Sequence, residues 1–254
     1  MSNIYFDIET IPAQEFRVID GIKQAMKAEL DQAMQSVRAP GNYKKPDAIA
    51  EYVEAERAKL VAEFDAKVDD AINRTGLDGT YGHVFCIAWA VDDNPVQWVS
   101  VADDLSASTE AHLLRSWFTL LNNIRCWSSG RRPVLIGHNS NEFDIPFIWK
   151  RAVIHGVKPP IWWPKDPKPW GDSTVDTMTM WAGAKGRISM DKLCAALGIP
   201  GKDGMSGKDV WPAVQRGEFS KVVTYCVDDV ERTRAMYRRM TFLDMAPQAL
   251  PELF

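Results

Sequence analysis

The chain has 254 residues, of which 46% are hydrophobic, and this is enough to bury the core of one large domain or of two small ones. Its formal net charge of −4 and its pI of about 5.6 exclude a strongly basic surface overall, so any contact with nucleic acid has to come from local basic patches or from metal ions. No segment approaches the roughly 18 apolar residues of a membrane span, and the first residues do not resemble a signal peptide, so we expect a cytoplasmic protein without membrane contact. The four cysteines form no CxxC pair, which favours buried free thiols over a zinc ribbon.

The first predicted element is a strand at residues 2–8, where apolar and polar residues alternate. From residue 15 to 74, apolar residues recur at helical spacing among many charged ones, with a break at 39–46 that contains Pro and Gly. This pattern predicts two helices joined by a turn, that is, a helical hairpin inserted at 15–76 directly after the first strand. The insertion could cover or extend a substrate groove, or it could serve only solubility or oligomerisation.

Beyond the insertion, apolar strands and amphipathic helices follow one another, which is typical of an α/β sheet flanked by helices. We expect a single domain spanning residues 1–254. The predicted strands are at 83–91, 96–101 and 133–137. The predicted helices are at 108–125, 142–154 and 219–241 and near 189–197 and 207–216, and a Trp- and Pro-rich loop is expected at 159–170.

Two carboxylates lie on the first predicted strand, in the stretch IYFDIET. Alternation places Asp7 and Glu9 side by side on one face of the sheet, the face that also carries Tyr5. If this strand is central, the burial of two adjacent carboxylates is costly unless a cation neutralises them, and Mg²⁺ prefers such oxygen ligands. An edge strand with one solvated face would explain the same pattern, so the motif alone leaves both interpretations open.

A third carboxylate, Asp144, lies at the start of the predicted helix that follows the strand at 133–137. An acidic residue in this position can simply complement the helix N-terminus. However, the carboxyl ends of strands in α/β sheets are also where ligands bind. Asn139, between the strand and the helix, is equally compatible with capping a turn and with contacting a substrate.

Tyr225 and Asp229 are four residues apart on the last predicted helix, so they share one face of it. A phenol one turn away from a carboxylate can orient a water molecule. Packing of the ring in the core is the alternative interpretation. Asp228, the neighbour of Asp229, is interpreted as a solvated residue.

Taken in order, D-x-E, N-x(4)-D and Y-x(3)-D resemble the motifs of the DEDD 3′–5′ exonucleases, and the tyrosine indicates their DEDDy branch. The histidine branch would need His at position 224, where this chain has Thr224. The resemblance is closest to predicted exonucleases related to the proofreading domain of family B DNA polymerases, including stand-alone bacterial and phage forms, and it covers residues 1–12 and about 80–242. Three further stretches agree with it: Val175-Asp176-Thr177-Met178, Ile188 to Leu193, and Leu197 to Lys202.

This resemblance implies that Asp7, Glu9, Asp144 and Asp229 hold two Mg²⁺ or Mn²⁺ ions, one activating the attacking water and the other the departing 3′-oxygen. Tyr225 would orient that water. The fold would be ribonuclease H-like, a mixed sheet flanked by helices.

The implied activity is metal-dependent hydrolysis of phosphodiester bonds from the 3′ end of single-stranded DNA, in repair, replication or phage nucleotide recycling. The terminal nucleotide would be contacted by Thr10 and Ile11, and a substrate contact is also possible for Asn139. Three alternatives remain: an exoribonuclease with the same chemistry, a catalytically silent nucleic-acid-binding module, and a proofreading subunit that acts with a replication or repair partner.

Two further features are candidate nucleic-acid contacts. The basic pairs Arg131-Arg132 and Lys150-Arg151 flank the Asp144 motif and could bind phosphates. Aromatic residues alternate with lysines at 161–170, as suits base stacking beside phosphates, although packing of the tryptophans on the domain is the favoured interpretation.

Overall fold

A computed structural model describes residues 2–101, 104–124, 132–169, 171–201 and 204–244. Its centre is a five-stranded sheet in the order β3-β2-β1-β4-β5. The strands are β1 Asn3–Ile11, β2 His83–Val91, β3 Gln97–Ser100, β4 Val134–Gly137 and β5 Thr174–Asp176. Since β4 runs parallel to both β1 and β5 while β2 and β3 are antiparallel, the sheet is mixed.

Nine helices accompany the sheet in the described ranges, so the predicted α/β class is confirmed, with the mixed sheet and flanking helices of a ribonuclease H-like fold. They are α1 Phe16–Ser36, α2 Pro46–Ala62, α3 Phe64–Arg74, α4 Ala107–Asn123, α5 Asp144–Ile154, α6 Thr177–Ala182, α7 Met190–Leu197, α8 Gly207–Gln215 and α9 Phe219–Met240. None of these helices has the length and apolar character that a membrane crossing requires.

The predicted strands and helices outside the insertion are all present, with ends shifted by a few residues at most. The structure adds two short elements that were not predicted, β5 and α6. Three strand residues and six helical residues are too few for a hydrophobic period to be recognised.

Strand β1 is the third of the five strands, so both of its edges are paired with neighbouring strands. Neighbouring side chains on it point in opposite directions, as expected from alternation. Phe6 stacks on Trp117 of α4, with 6.0 Å between the ring centroids, whereas Tyr5 contacts the edge of Tyr237 of α9 at 5.9 Å. Helices α4 and α9 therefore cover opposite faces of the central strand.

The chain forms two compact units, one built from the residues up to Thr10 and from Val84 onwards, the other from Ile11–His83. The second unit contains the predicted insertion. Its two ends meet, because the main-chain N–H of Ala13 donates to Oγ1 of Thr75 at 2.8 Å.

The prediction of two helices in the insertion is wrong, because the segment forms three. Helix α1 contacts both α2 and α3, and only Glu63 separates α2 from α3. Glu63 has helical backbone angles, and neither Pro nor Gly marks the break, so the sequence has no signal for it. Among the residues of the three helices, only Val68 is buried.

Two interpretations of apolar side chains are confirmed. Trp162 and Trp163 are buried, and Trp163 meets Phe118 edge-on at 5.4 Å, so these tryptophans of the 159–170 loop pack on the domain. Cys86, Cys194 and Cys226 are buried free thiols. Trp170 and Cys126 lie outside the described residues.

Candidate active site

The D-x-E motif lies on the central strand, so the interpretation as a solvated edge strand does not apply. Glu9 is buried with 8% of its surface exposed, and Asp7 is half-buried. Both project from the face of β1 that carries Tyr5, the face covered by α9.

Helix α9 brings the second half of the site to β1. Its buried face includes Val222, Cys226 and Val230, and this apolar stripe seats the helix on the sheet. Tyr225 and Asp229 lie on the buried face as predicted, while Asp228 is exposed, as its interpretation as a solvated residue requires. The thiol of Cys226 contacts β1 directly and lies 3.4 Å from the main-chain oxygen of Asp7 and 3.5 Å from its Oδ2.

Asp7, Glu9 and Asp229 form a cluster in which one carboxylate oxygen from each residue lies within 4.8 Å of the others. Three carboxylates this close repel one another, and burial strengthens the repulsion, so a bound cation would relieve it. An all-oxygen donor set is the kind that Mg²⁺ or Mn²⁺ prefers. The residues therefore fit a hard divalent cation.

Tyr225 is buried beside this cluster. Burial raises the pKa of its phenol well above the ordinary value, and the negative charges of Asp229, Glu9 and Asp7 raise it further. The hydroxyl consequently stays protonated at neutral pH, and it can act as donor and acceptor towards a water molecule.

Asp144 is the first residue of α5, and its Oδ1 accepts the main-chain N–H of Ile8 at 3.2 Å. Ile8 lies between Asp7 and Glu9, so this bond fixes α5 to the D-x-E motif. Asp144 is not a member of the three-carboxylate cluster. Burial raises the pKa of its carboxyl to about 7, and the nearby negative charges of Asp176 and Asp229 also raise it. The backbone hydrogen bonds that the carboxylate accepts lower the pKa, but their effect is smaller.

The predicted substrate contacts occupy different positions. Asn139 has the left-handed φ of 62°, donates its main-chain N–H to Asp176 and accepts that of Phe143, so its role in the turn after β4 is established. Thr10 is half-buried, and the side chain of Ile11 is fully buried. Contact of these three residues with a nucleotide stays a prediction.

Asp176 and His138 were not predicted as site residues, although Asp176 lies in a stretch that agrees with the family resemblance, and both organise the site. Asp176 ends β5 and is buried, and its oxygens accept N–H groups from the turn after β4. His138 bridges Oγ1 of Thr177, at 2.9 Å, and the main-chain oxygen of Ile188, at 3.0 Å. An aspartate at the start of a helix is typical of an ordinary N-cap, so nothing in the local sequence indicates that Asp176 also binds the turn after β4.

The prediction of Arg151 as a phosphate contact is wrong. Its guanidinium is 1% exposed and forms two hydrogen bonds with Glu110, at 2.9 and 2.7 Å. His155 lies 2.7 Å from the same carboxylate. The positive charge of Arg151 is therefore paired with a carboxylate inside the fold and does not face a phosphate. Arg132 is exposed, Lys150 is half-buried, and Arg131 lies outside the described residues.

Comparison with protein families matches residues 78–248 to the predicted 3′–5′ exonucleases related to the exonuclease domain of PolB. The matched segment includes Asp144, Tyr225 and Asp229 but begins after the strand that carries Asp7 and Glu9. A search of curated proteins returns no match. The match spans well over half of the chain, and the chain therefore belongs to the family of predicted 3′–5′ exonucleases related to the PolB exonuclease domain.

Proposed function

We propose that the protein is a metal-dependent exonuclease that removes nucleotides from the 3′ end of single-stranded DNA. The observation that supports this most is the convergence of Asp7, Glu9 and Asp229 beside Tyr225 in a chain of this exonuclease family. The reaction adds a water oxygen to the terminal phosphorus and breaks the bond from phosphorus to the 3′-oxygen. The products are a nucleoside 5′-monophosphate and a strand shortened by one nucleotide.

The cluster of Asp7, Glu9 and Asp229 would hold the Mg²⁺ or Mn²⁺ ions. When bound, these ions would supply the positive charge that activates the attacking water and stabilises the departing 3′-oxygen. Asp144 is bound to β1 by the N–H of Ile8 and would keep acceptor capacity for a metal ion, because a carboxylate has about four lone-pair sites.

Tyr225 would position the attacking water by a hydrogen bond. Because its pKa is raised, the phenol keeps its own proton and cannot act as the base for that water, so its role is orientation. The substrate also needs to be a flexible single strand of nucleic acid. Its last phosphodiester has to reach carboxylates that lie on β1 and on the buried face of α9.

The test is a timed digest of 5′-labelled single-stranded DNA, and of an RNA of the same sequence, with Mg²⁺, with Mn²⁺ and with excess EDTA. We expect a ladder that shortens from the 3′ end, the DNA being digested faster than the RNA, and no digestion in EDTA. Faster digestion of RNA would make the protein an exoribonuclease, and cleavage in EDTA would refute the metal dependence.

The adjacent aspartates of α9 provide a matched pair of variants. Asp229→Asn removes a carboxylate of the cluster, whereas Asp228→Asn makes the same chemical change at an exposed position one residue away. We expect D229N, like Asp7→Ala, to lose digestion while keeping its fold, and D228N to digest like the parent protein. Binding of DNA without digestion by the parent protein would instead identify a silent binding module.

A further inference from the structure

The carboxylate of Asp176 accepts four main-chain N–H groups from two different segments. Its Oδ1 accepts those of Met178 at 3.0 Å, Thr179 at 3.4 Å and Asn139 at 2.9 Å. Its Oδ2 accepts that of Asn141 at 3.0 Å. The residue is 4% exposed, so these bonds are shielded from water.

Only half of this arrangement is explained by helix capping. The bonds from Met178 and Thr179 are those of an N-cap residue at the start of α6. The bonds from Asn139 and Asn141 reach a separate segment, the turn between β4 and α5 at residues 138–143. The same carboxylate therefore ties the end of β5 to that turn.

The turn is tightly constrained, and it leads directly into Asp144. Gly137, which pairs with Asp176 in the sheet, has no room for a side chain, because an added Cβ would lie 2.4 Å from Cβ of Ser140. Asn139 adopts a left-handed φ, and its oxygen accepts the N–H of Phe143 at 3.1 Å. A shift of the turn would therefore be passed on to the start of α5.

Asp144 in turn bonds to Ile8, between Asp7 and Glu9. This gives a continuous chain of contacts from Asp176 through the turn to the carboxylates of β1. Residues that orient metal ligands contribute to metal binding, and their loss typically costs about 10- to 100-fold in metal affinity or activity.

We propose that Asp176 is a positioning residue for the proposed exonuclease reaction: its carboxylate fixes the 138–143 turn so that Asn139 and Asp144 are held in place beside Asp7, Glu9 and Asp229. The proposal rests on the proposed function for its effect on digestion. Its effects on the turn and on cation binding can be measured without digestion.

The informative change is Asp176→Asn. An asparagine can keep its one oxygen on Met178, Thr179 and Asn139, but its NH₂ group then faces the N–H of Asn141, so one of the two bonds to the turn is lost while the cap is kept. The control is Asp209→Asn, another aspartate at a helix start, whose Oδ2 accepts the N–H of Ser206 at 2.9 Å on the exposed surface of α8.

D176N and D209N are compared with the parent protein in three measurements, each normalised to the amount of folded protein. These are hydrogen exchange followed by mass spectrometry, Mn²⁺ titration, and steady-state digestion. For D176N we expect faster exchange at residues 138–145, Mn²⁺ affinity weaker by about 10-fold or more, and a kcat about 10- to 100-fold lower with KM changed less than about threefold. D209N should match the parent protein in all three.

If D176N only lowers the melting temperature, with parental exchange, Mn²⁺ affinity and kcat, Asp176 is merely structural and the proposal is overturned. If the parent protein digests nothing, the proposed function fails, and the exchange and Mn²⁺ results still decide whether Asp176 holds the turn.

Discussion

The guanidinium of Arg232 lies 2.8 Å from Oδ1 of Asp229, one of the clustered carboxylates, and both side chains are nearly buried, with 11% and 6% exposed. A second nitrogen of Arg232 donates to the main-chain oxygen of Gly201 at 3.0 Å. This arginine offsets part of the negative charge of the cluster. A metal ion bound to the cluster would compete with it for an oxygen of Asp229.

The change Arg232→Met should therefore have opposite effects in the absence and presence of metal. In EDTA we expect a lower melting temperature, because the buried carboxylate cluster loses a positive charge beside it. With Mn²⁺ we expect a larger rise in melting temperature than in the parent protein, because the ion no longer competes with Arg232 for an oxygen of Asp229. Thermal unfolding with and without Mn²⁺ measures both.

Arg234→Met is the control, since Arg234 lies on the same helix but pairs with Glu231 and with the main-chain oxygens of Asp92 and Asn94. Its Mn²⁺-induced rise should equal that of the parent protein. An equal rise in R232M as well would contradict competition between Arg232 and the metal.

The raised pKa of Asp144 predicts how the stability of the metal-free protein depends on pH. In the folded state this carboxyl titrates at about 7, against an ordinary value of 3.8, so the folded protein binds its proton more tightly than the unfolded chain does. The free energy of unfolding should consequently fall as the pH rises from about 4 to 7, by on the order of 2 to 4 kcal/mol from this group.

Denaturant unfolding in EDTA across this pH range measures the effect, with Asp144→Asn as the comparison. The loss of stability with rising pH should be smaller in D144N, and D228N should follow the parent protein. Parallel curves for D144N and the parent protein would show that Asp144 is not the group responsible.

Tyr225→Phe should separate metal binding from catalysis. The change removes only the hydroxyl, so the fold and the Mn²⁺-induced rise in melting temperature should be kept, while kcat should fall by roughly 100-fold because the water loses its orienting partner. Tyr237→Phe, on the same helix but against Tyr5, should keep parental kcat. A Y225F protein with parental kcat would remove Tyr225 from the catalytic group.

The buried pair of Arg151 and Glu110 should contribute to stability and not to nucleic-acid binding. Arg151→Met removes the guanidinium that pairs with the buried Glu110 carboxylate and should cost about 3–5 kcal/mol in the free energy of unfolding. The salt dependence of single-stranded DNA binding should stay unchanged, because no phosphate contact is lost.

Arg187→Met is the matched surface variant, since Arg187 pairs with Glu142 where both side chains are more than half exposed. Its effect on the free energy of unfolding should stay within about 0.5 kcal/mol. A flatter salt dependence in R151M would restore the phosphate-contact hypothesis for this residue.

Periodicity and spacing were sufficient to predict the main strands and helices, the shared face of Asp7 and Glu9, and the shared face of Tyr225 and Asp229. That these two pairs belong to one site was implied by the family resemblance. Alternation along β1 and the four-residue spacing on α9 fix which side chains share a face, and both are local properties. The position of Asp144 at a helix start was predicted in the same way.

Other features depend on contacts between distant residues and have no local signal. The bond from Ile8 to Asp144 and the pairing of Arg151 with Glu110 join residues that are 136 and 41 positions apart. The role of Asp176 depends on β5, a strand too short to be recognised by period. The break at Glu63 has helical angles on both sides and no Pro or Gly.

The hydrogen bond between Ala13 and Thr75 makes the segment between them a closed loop whose entry and exit coincide. The entropic cost of closing a loop grows only slowly with its length, so a segment attached in this way can be exchanged for a longer or shorter one at little cost to folding. The position after the first strand is therefore a practical place to graft a fluorescent reporter or a surface tether.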